Sequence, residues 1–178
     1  MIDSAARWFA AMLCIAGLTH IYAVLQIPSH VRDRTFVGTD VSEAPGSLVR
    51  VDGRHAVADF DPTFLNAVCR FDEDTGPVRL TGAMPTGYWS IAAMADDGRI
   101  LSTLSREDVS GPTLDLLVGK TAAIDAARQG ADFDTVESMS LPVDTGYLLV
   151  RLFAGSLGDR DGAEAAFAGL GCQPAVAQ

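Results

Sequence analysis

The sequence predicts a β-rich α+β domain behind an N-terminal transmembrane helix. Three observations predict this: an uncharged run from Trp8 to Ile27, a train of short apolar segments after residue 47, and two helical patterns, one of them near the C-terminal end.

The 20 residues from Trp8 to Ile27 carry no formal charge. At 1.5 Å per residue they make about 30 Å of helix, the thickness of a bilayer's hydrocarbon core. A cleaved signal peptide would have a shorter apolar region and a small-x-small site. No convincing Ala-x-Ala precedes Pro28, so residues 1–28 are expected to remain as an uncleaved anchor that ends near Pro28, with Trp8 at one interface. Arg7 and the free amine flank one side, Arg32 and Arg34 the other, and this balance barely decides orientation. The very short N-terminal tail favours an amino end in the cytoplasm. A single-pass inner-membrane protein is therefore expected, with the bulk of the chain periplasmic.

His20 shares a helix face with Ala16 and Ala23, at i−4 and i+3. A neighbouring helix could approach there and meet the imidazole, which suggests a membrane partner or self-pairing. The alternative is a neutral histidine bonded to its own helix or reached by water.

Residues 29–47 mix Pro, Gly, Ser and charges without periodicity and read as a linker. From residue 48 to 178 the apolar segments are "SLVRV", "TFLNAVCRF", "PVRLTGAM", "YWSIAAMA", "RILSTLS", "LDLLVG", "VESMSL" and "YLLVRLFA". The turns between them include Asp74-Thr75-Gly76, Pro85-Thr86-Gly87, Asp97-Gly98 and Asp144-Thr145-Gly146. This pattern predicts an antiparallel, sandwich-like sheet, with Asp97-Gly98 the clearest hairpin. Val78 and Leu80 alternate with Arg79 and Thr81, so one face points inward. The two helical pieces run from Lys120 to Gly130 and from Asp159 to Gly171, the latter with acidic residues at its start and Gly171 as its C-cap.

The formal charge is −10, and residues 28–178 carry all of it, with 22 acidic against 12 basic side chains. Such a surface repels polyanions, so nucleic acid is not an expected partner. Of three cysteines, Cys14 lies in the apolar run, leaving Cys69 and Cys172 for one bridge in an oxidising compartment. Closing a loop of about 100 residues is worth roughly 4–5 kcal/mol in the chain-entropy model. Two unrelated buried thiols are the alternative.

Motifs with chemistry are few. The two Asp-Thr-Gly triplets resemble the loops by which aspartic proteases pair two carboxylates. Their contexts, "DEDTGP" and "PVDTGY", lack the usual flanking residues and sit where hairpin turns are expected. "VGKT", Val118 to Thr121, has Leu114 where a phosphate-binding loop needs glycine. His30 and His55 are the histidines outside the apolar run, His55 being the one plausible base, and neither polar-domain cysteine has paired metal-ligand spacing. No catalytic residue, metal site or cofactor is assigned.

Arg70, Arg79 and Arg151 each interrupt an apolar strand, and Arg grips carboxylate or phosphate in a fork. On one shared face they would make a ligand-binding pocket; otherwise each pairs with a nearby acid or faces water. Tyr88 and Trp89 read as core or rim aromatics, or as ligand stackers.

The stretch Cys69 to Ser105, with its "GPV" turn, "YWS" segment and Asp/Gly hairpin, resembles short membrane-anchored proteins of domain-of-unknown-function family 1254, common in alphaproteobacteria. The anchor pattern of His20, Val24, Leu25 and Pro28 and the C-terminal "GYLLVRLF" followed by a helix and Cys172 are similar as well. The resemblance implies a β-rich fold, an inner-membrane anchor and a companion protein of family 1214, and no reaction. The expected function is a non-enzymatic, membrane-tethered envelope module that binds a partner or an envelope component, with the helix around His20 contributing to assembly. Alternatives are a periplasmic hydrolase or carbohydrate-active accessory using the three arginines with Asp72 or Asp144, and a periplasmic small-ligand binder.

Overall fold

A computed structural model describes residues 2–31, 45–51, 60–130 and 136–175 of the 178-residue chain. The chain divides into two compact units, Met1–Arg34 and Thr35–Gln178.

The first unit is helix α1, Ile2–Val31. Its window Ala6–Gln26 is 21 residues long and apolar enough to cross a membrane, and none of it is buried by the protein. Trp8, Phe9, Leu13, Leu18, Tyr22 and Leu25 all project outward. A helix that is apolar on every face has the composition of a membrane span. The helix runs one turn beyond the expected end at Pro28. Proline removes one intrahelical hydrogen bond, but its φ is helical, so a last turn can follow it. Ala16, His20 and Ala23 lie exposed along α1, and Thr19 Oγ1 donates to the Ile15 carbonyl at 2.9 Å.

In the second unit the described elements are, in chain order, β1 (Leu48–Val51), β2 (Phe64–Asp72), β3 (Val78–Ala83), β4 (Trp89–Ala95), β5 (Ile100–Ser105), β6 (Thr113–Gly119), α2 (Thr121–Gly130), β7 (Glu137–Ser140), β8 (Thr145–Phe153), α3 (Leu157–Gly169) and β9 (Gly171–Pro174). They form a five-stranded sheet in the order β1-β2-β8-β4-β5 and a four-stranded sheet in the order β7-β6-β3-β9. Strand β8 alternates strictly: Leu148, Val150 and Leu152 point inward, while Tyr147, Leu149 and Arg151 point outward. That period of two is what gives each sheet one face to bury.

The two inner faces make a common core in which Trp89, Ile91, Leu148 and Val150 meet Val78, Leu80, Leu116 and Val118. Removal of this apolar surface from water is the main force holding the sheets together. A disulfide between Cys69 on β2 and Cys172 on β9 ties one sheet to the other, with a sequence separation of 103 and Cα atoms 6.5 Å apart. Of the bridge and the unrelated-thiol alternative, the bridge is the arrangement found. Cys14 is free and exposed on α1.

Several expectations are corrected. Pairing is antiparallel except between β6 and β7, which run parallel. Parallel neighbours need a crossover, and α2 provides it, packing Ile124 and Ala127 over Leu117 on the outer face of the second sheet. The Asp97-Gly98 turn is a true hairpin, with Gly98 at φ +79° and its N–H donating to the Ala95 carbonyl at 2.8 Å. The other predicted hairpin turns lead the chain from one sheet to the other, and Thr145-Gly146 belongs to β8 itself. Alternation says which side of a strand is inward but not which sheet it joins.

Helix α3 begins two residues earlier than expected because Ser156 is the cap: its hydroxyl accepts from the Asp159 N–H, and the Asp159 carboxylate accepts from the Ser156 N–H. This capping box satisfies amide groups that the helix start leaves without partners. Gly171 is not the C-cap; Leu170 is, in extended conformation, so that the chain passes straight into β9. Ala163 and Ala166 form the buried face of α3. Its end lies so close to β3 that a Cβ on Gly82 would stand 2.9 Å from the Gly169 carbonyl oxygen.

Candidate functional site

The sandwich has two ends, set by strand direction. At one end, where β2 finishes and β8 begins, the motifs dismissed singly in the sequence converge. The Glu73 N–H donates to the Asp144 carbonyl at 2.8 Å, which joins the two Asp-Thr-Gly loops through their backbones. Lys120, from "VGKT", sits between them, paired to Glu73 at 2.6 Å and to the Asp144 carboxylate. Arg70 reaches Asp72 at 3.4 Å, and Thr145 Oγ1 donates to Asp96.

This arrangement differs from a protease dyad, since an ammonium stands between the two acids and offsets one of their two charges. Hydrogen bonding from Lys120, then from Glu73, holds the Asp144 carboxyl below its ordinary range, and Asp144 and Glu73 in turn raise Lys120. A carboxyl held ionised in this way is a poor general acid. The space among Glu73, Lys120, Val143 and Asp144 is about 10 Å³, at most one water. The knot is a fastening of two loops. Among the described residues no group of three or more His, Cys, Asp or Glu could hold a metal ion.

A pH dependence follows. A carboxyl with a depressed folded-state pKa contributes stability that is present above its unfolded value, near 4, and is lost as pH falls through the folded value. The melting temperature of the domain is expected to drop below about pH 4, and Asp144→Asn to flatten that drop. Identical acid-side profiles in the two proteins would refute the contribution.

The structure does not bring the three predicted arginines together. Arg79, on the outer face of the second sheet, makes a bidentate pair with Asp115 at 2.7 and 2.6 Å, which raises its pKa. Arg70 and Arg151 lie on the outer face of the first sheet, on the other side of the sandwich. Arg70 opposes Tyr147 and Arg151 opposes Asn66, so they stand four positions apart along β8, about 13 Å. The shared-face pocket fails because alternation gives a residue's face within its own sheet and says nothing of the sheet. Trp89 is a core residue at 2% exposure, whereas Tyr88 is 55% exposed with its ring edge-on to Phe64. His55 and the side chain of His30 lie outside the described residues.

At the opposite end a different basic group assembles. Arg151 stacks over the Phe64 ring at 4.3 Å from its centroid, and Phe64 is braced edge-on by Phe153 at 5.6 Å. Beside them a hollow of about 300 Å³ is lined by Arg50, Phe60, Asp61, Phe64, Asn66 and Arg160. Arg50 is held by Glu164 of α3 at 2.8 and 3.0 Å and lies over Phe167. Asp61 accepts from Thr63 Oγ1 at 2.7 Å and from its N–H at 2.9 Å; these bonds, and more weakly the charge of Arg151, lower its pKa. Asn66 is the one buried polar residue among those described, at 4% exposure. Its Nδ2 donates to the Phe64 carbonyl at 3.3 Å, and its Oδ1 has no partner.

Sequence reasoning missed Arg50, although it interrupts an apolar strand just as Arg70 does. Arg160 carries no signal, because a charged residue on a helix is ordinarily a solvated one. Another concavity of about 310 Å³ opens over Met84, Pro85, Trp89 and Arg106.

No protein-family model matches the chain, and no curated protein matches it. Among solved structures, the VPA0106 protein from Vibrio parahaemolyticus is similar over 75% of this chain and 31% of its own, with a TM-score of 0.57 and 14% identity. An uncharacterised protein from Burkholderia cenocepacia is similar over 88% of this chain and 42% of its own, with a TM-score of 0.56 and 16% identity. The chain thus spans less than half the length of either, and what it shares with them is a β-rich fold.

Proposed function

We propose that the protein is a membrane-tethered, extracytoplasmic module of the cell envelope that binds a partner protein and catalyses no reaction. The observation that carries this reading is the disulfide across the core of the domain that follows a 21-residue apolar helix. Structural disulfides persist where thiols are not kept reduced, which for a membrane-anchored bacterial domain is the periplasmic side of the inner membrane.

Partner binding rests on two further features. In both solved structures the shared fold occupies under half of a longer chain, so it occurs beside additional protein. The outer face of the first sheet also carries an apolar row of Val49, Met94, Tyr147 and Leu149 around buried Val51 and Val68. Resemblance to family 1254 nominates a family 1214 protein as companion, and Ala16, His20 and Ala23 as a contact for a membrane helix. Asp72 and Asp144, the acids an enzyme would need, are both engaged in ion pairs, which weighs against the hydrolase alternative.

The test uses the full chain in its own membrane. Protease added to spheroplasts is expected to degrade the domain, and non-reducing mass spectrometry to find Cys69 joined to Cys172. A protected domain with two free thiols would refute the location. After mild-detergent extraction a defined complex is expected that His20→Leu weakens; a solitary monomer would refute the partner.

A further inference from the structure

Four strands stand at the ends of the two sheets, β1 and β5 in one, β7 and β9 in the other. A sheet edge offers N–H and C=O groups to any strand that reaches it, and proteins blunt such edges with short strands, charges or proline. Three of the four are blunted in this way. β1, β7 and β9 are four residues long and carry Arg50, Glu137 and Pro174 respectively. β5 is six residues long, with neither charge nor proline. Ile100 is 60% exposed, Thr103 is exposed, and Leu101 and Leu104 pack on the core while remaining only half-buried. The bulge in its ladder lies toward Ile100, and Ser102 to Ser105 pair regularly with β4.

The ladder fixes which backbone groups face outward. The Tyr88 carbonyl, just before β4, accepts from the Phe153 N–H of β8, whereas the Ala95 N–H donates to the Arg99 carbonyl on the β5 side. Antiparallel bonding alternates, so the odd-numbered residues of β4 bond toward β5 and the even-numbered ones toward β8. Ile91 and Ala93 face Leu104 and Ser102, which leaves Thr103 and Ser105 with N–H and C=O turned away from β4. The Ser105 N–H goes to the Asp108 carboxylate at 2.8 Å, in agreement with that direction. Thr103 is the centre of the outward edge.

We propose that β5 pairs antiparallel with β5 of a second copy of this chain, about a two-fold axis at Thr103, so that the two five-stranded sheets become one continuous sheet. The flanking charges select this occupant. In that register Arg99 of each copy faces Glu107 of the other, and no two like charges are opposed. A shift of one residue sets Arg99 against Arg106 and puts the bonding groups of Thr103 out of phase. Arg99 is 66% exposed, with its own Asp97 at 3.8 Å. In a chain of net charge −10, an uncharged edge is where a second copy meets least repulsion. The added strand also covers the open sides of Leu101 and Leu104. The pairing needs neither a given side of the membrane nor a companion protein, so its failure leaves the proposed function standing, and the reverse.

One strand pair is a small interface, so the dimer is weak and the test traps it. The purified full-length chain in detergent micelles is oxidised, with Cys14→Ala as the background to remove the free thiol of α1. Opposed residues of a bonded pair stand about 5.5 Å apart, within reach of a disulfide, so Thr103→Cys is expected to give linked dimer at about five times the yield of Leu157→Cys, a highly exposed control on α3. Arg99→Glu or Glu107→Arg, each added to Thr103→Cys, should lower that yield about threefold, because like charges then face each other, and the two together should restore it. Unfolding curves establish that each variant is folded. The same Thr103→Cys chain is also oxidised in its own membranes. The proposal is overturned if Thr103→Cys links no better than Leu157→Cys, if either single charge variant leaves the yield unchanged, if the charge exchange fails to restore it, or if Thr103→Cys in membranes joins a different polypeptide and not its own copy.

Discussion

Replacing Cys69 and Cys172 together by alanine is expected to lower the melting temperature of the domain by about 10–15 °C. The bridge closes a separation of 103 residues and joins the two sheets. In the chain-entropy account a loop of this length restricts the unfolded ensemble by about 4–5 kcal/mol. The alternative account assigns the same loss to enthalpy, and the two agree in sign. Neither substitution leaves an unpaired polar atom, although Cys69 is fully buried and Cys172 nearly so. Thermal unfolding followed by circular dichroism, with reduced wild-type protein alongside, makes the measurement. Coincident curves for oxidised, reduced and doubly substituted protein would show that the bridge contributes nothing.

Gly146→Ala is expected to destabilise the domain by about 3 kcal/mol, read as a shift of the guanidinium midpoint at constant slope. A Cβ at this position would lie 2.3 Å from the Met94 carbonyl oxygen and 2.6 Å from Phe71 Cζ. The first obstacle is backbone of the paired strand β4, so no rotamer change relieves it. Gly76, the glycine of the other Asp-Thr-Gly triplet, is the contrast. A Cβ there meets nothing within 4 Å, but its φ of +84° with ψ of −176° is a backbone conformation essentially reserved to glycine, and Gly76→Ala is expected to cost about 1–2 kcal/mol. The same tripeptide therefore uses its glycine for close packing in one place and for a backbone conformation closed to other residues in the other. Equal losses for the two variants would refute that distinction.

Much of the fold was legible because it rests on local pattern. The alternation around Val78 and Leu80, the uncharged run at Trp8–Ile27 and the Asp97-Gly98 hairpin each declare themselves within a few residues. Strand β9 escaped notice because four residues, Gly171–Pro174, are too few to show a period, and they follow a helix whose end was misjudged. The arginine site was only partly legible. Arg151 was recognisable as an arginine within an apolar strand, yet the hollow beside it is lined from other stretches of chain, Phe60 to Asn66 and Arg160 among them. The Glu73–Lys120–Asp144 knot was unreadable for the same reason. Three weak motifs each looked accidental, and their meeting depends on which strands pair across long separations.

The place of β8 between β2 and β4 governs how the chain can be made. While Phe64 to Ala95 emerges during synthesis, the strand that must lie between its two halves does not yet exist. The sticky rims of β2 and β4 therefore have to wait some fifty residues or more for Thr145–Phe153. Pairing that is so far from local makes maturation slow and leaves the nascent polypeptide vulnerable to aggregation. Such a chain gains from holdase-type chaperoning until its last third arrives.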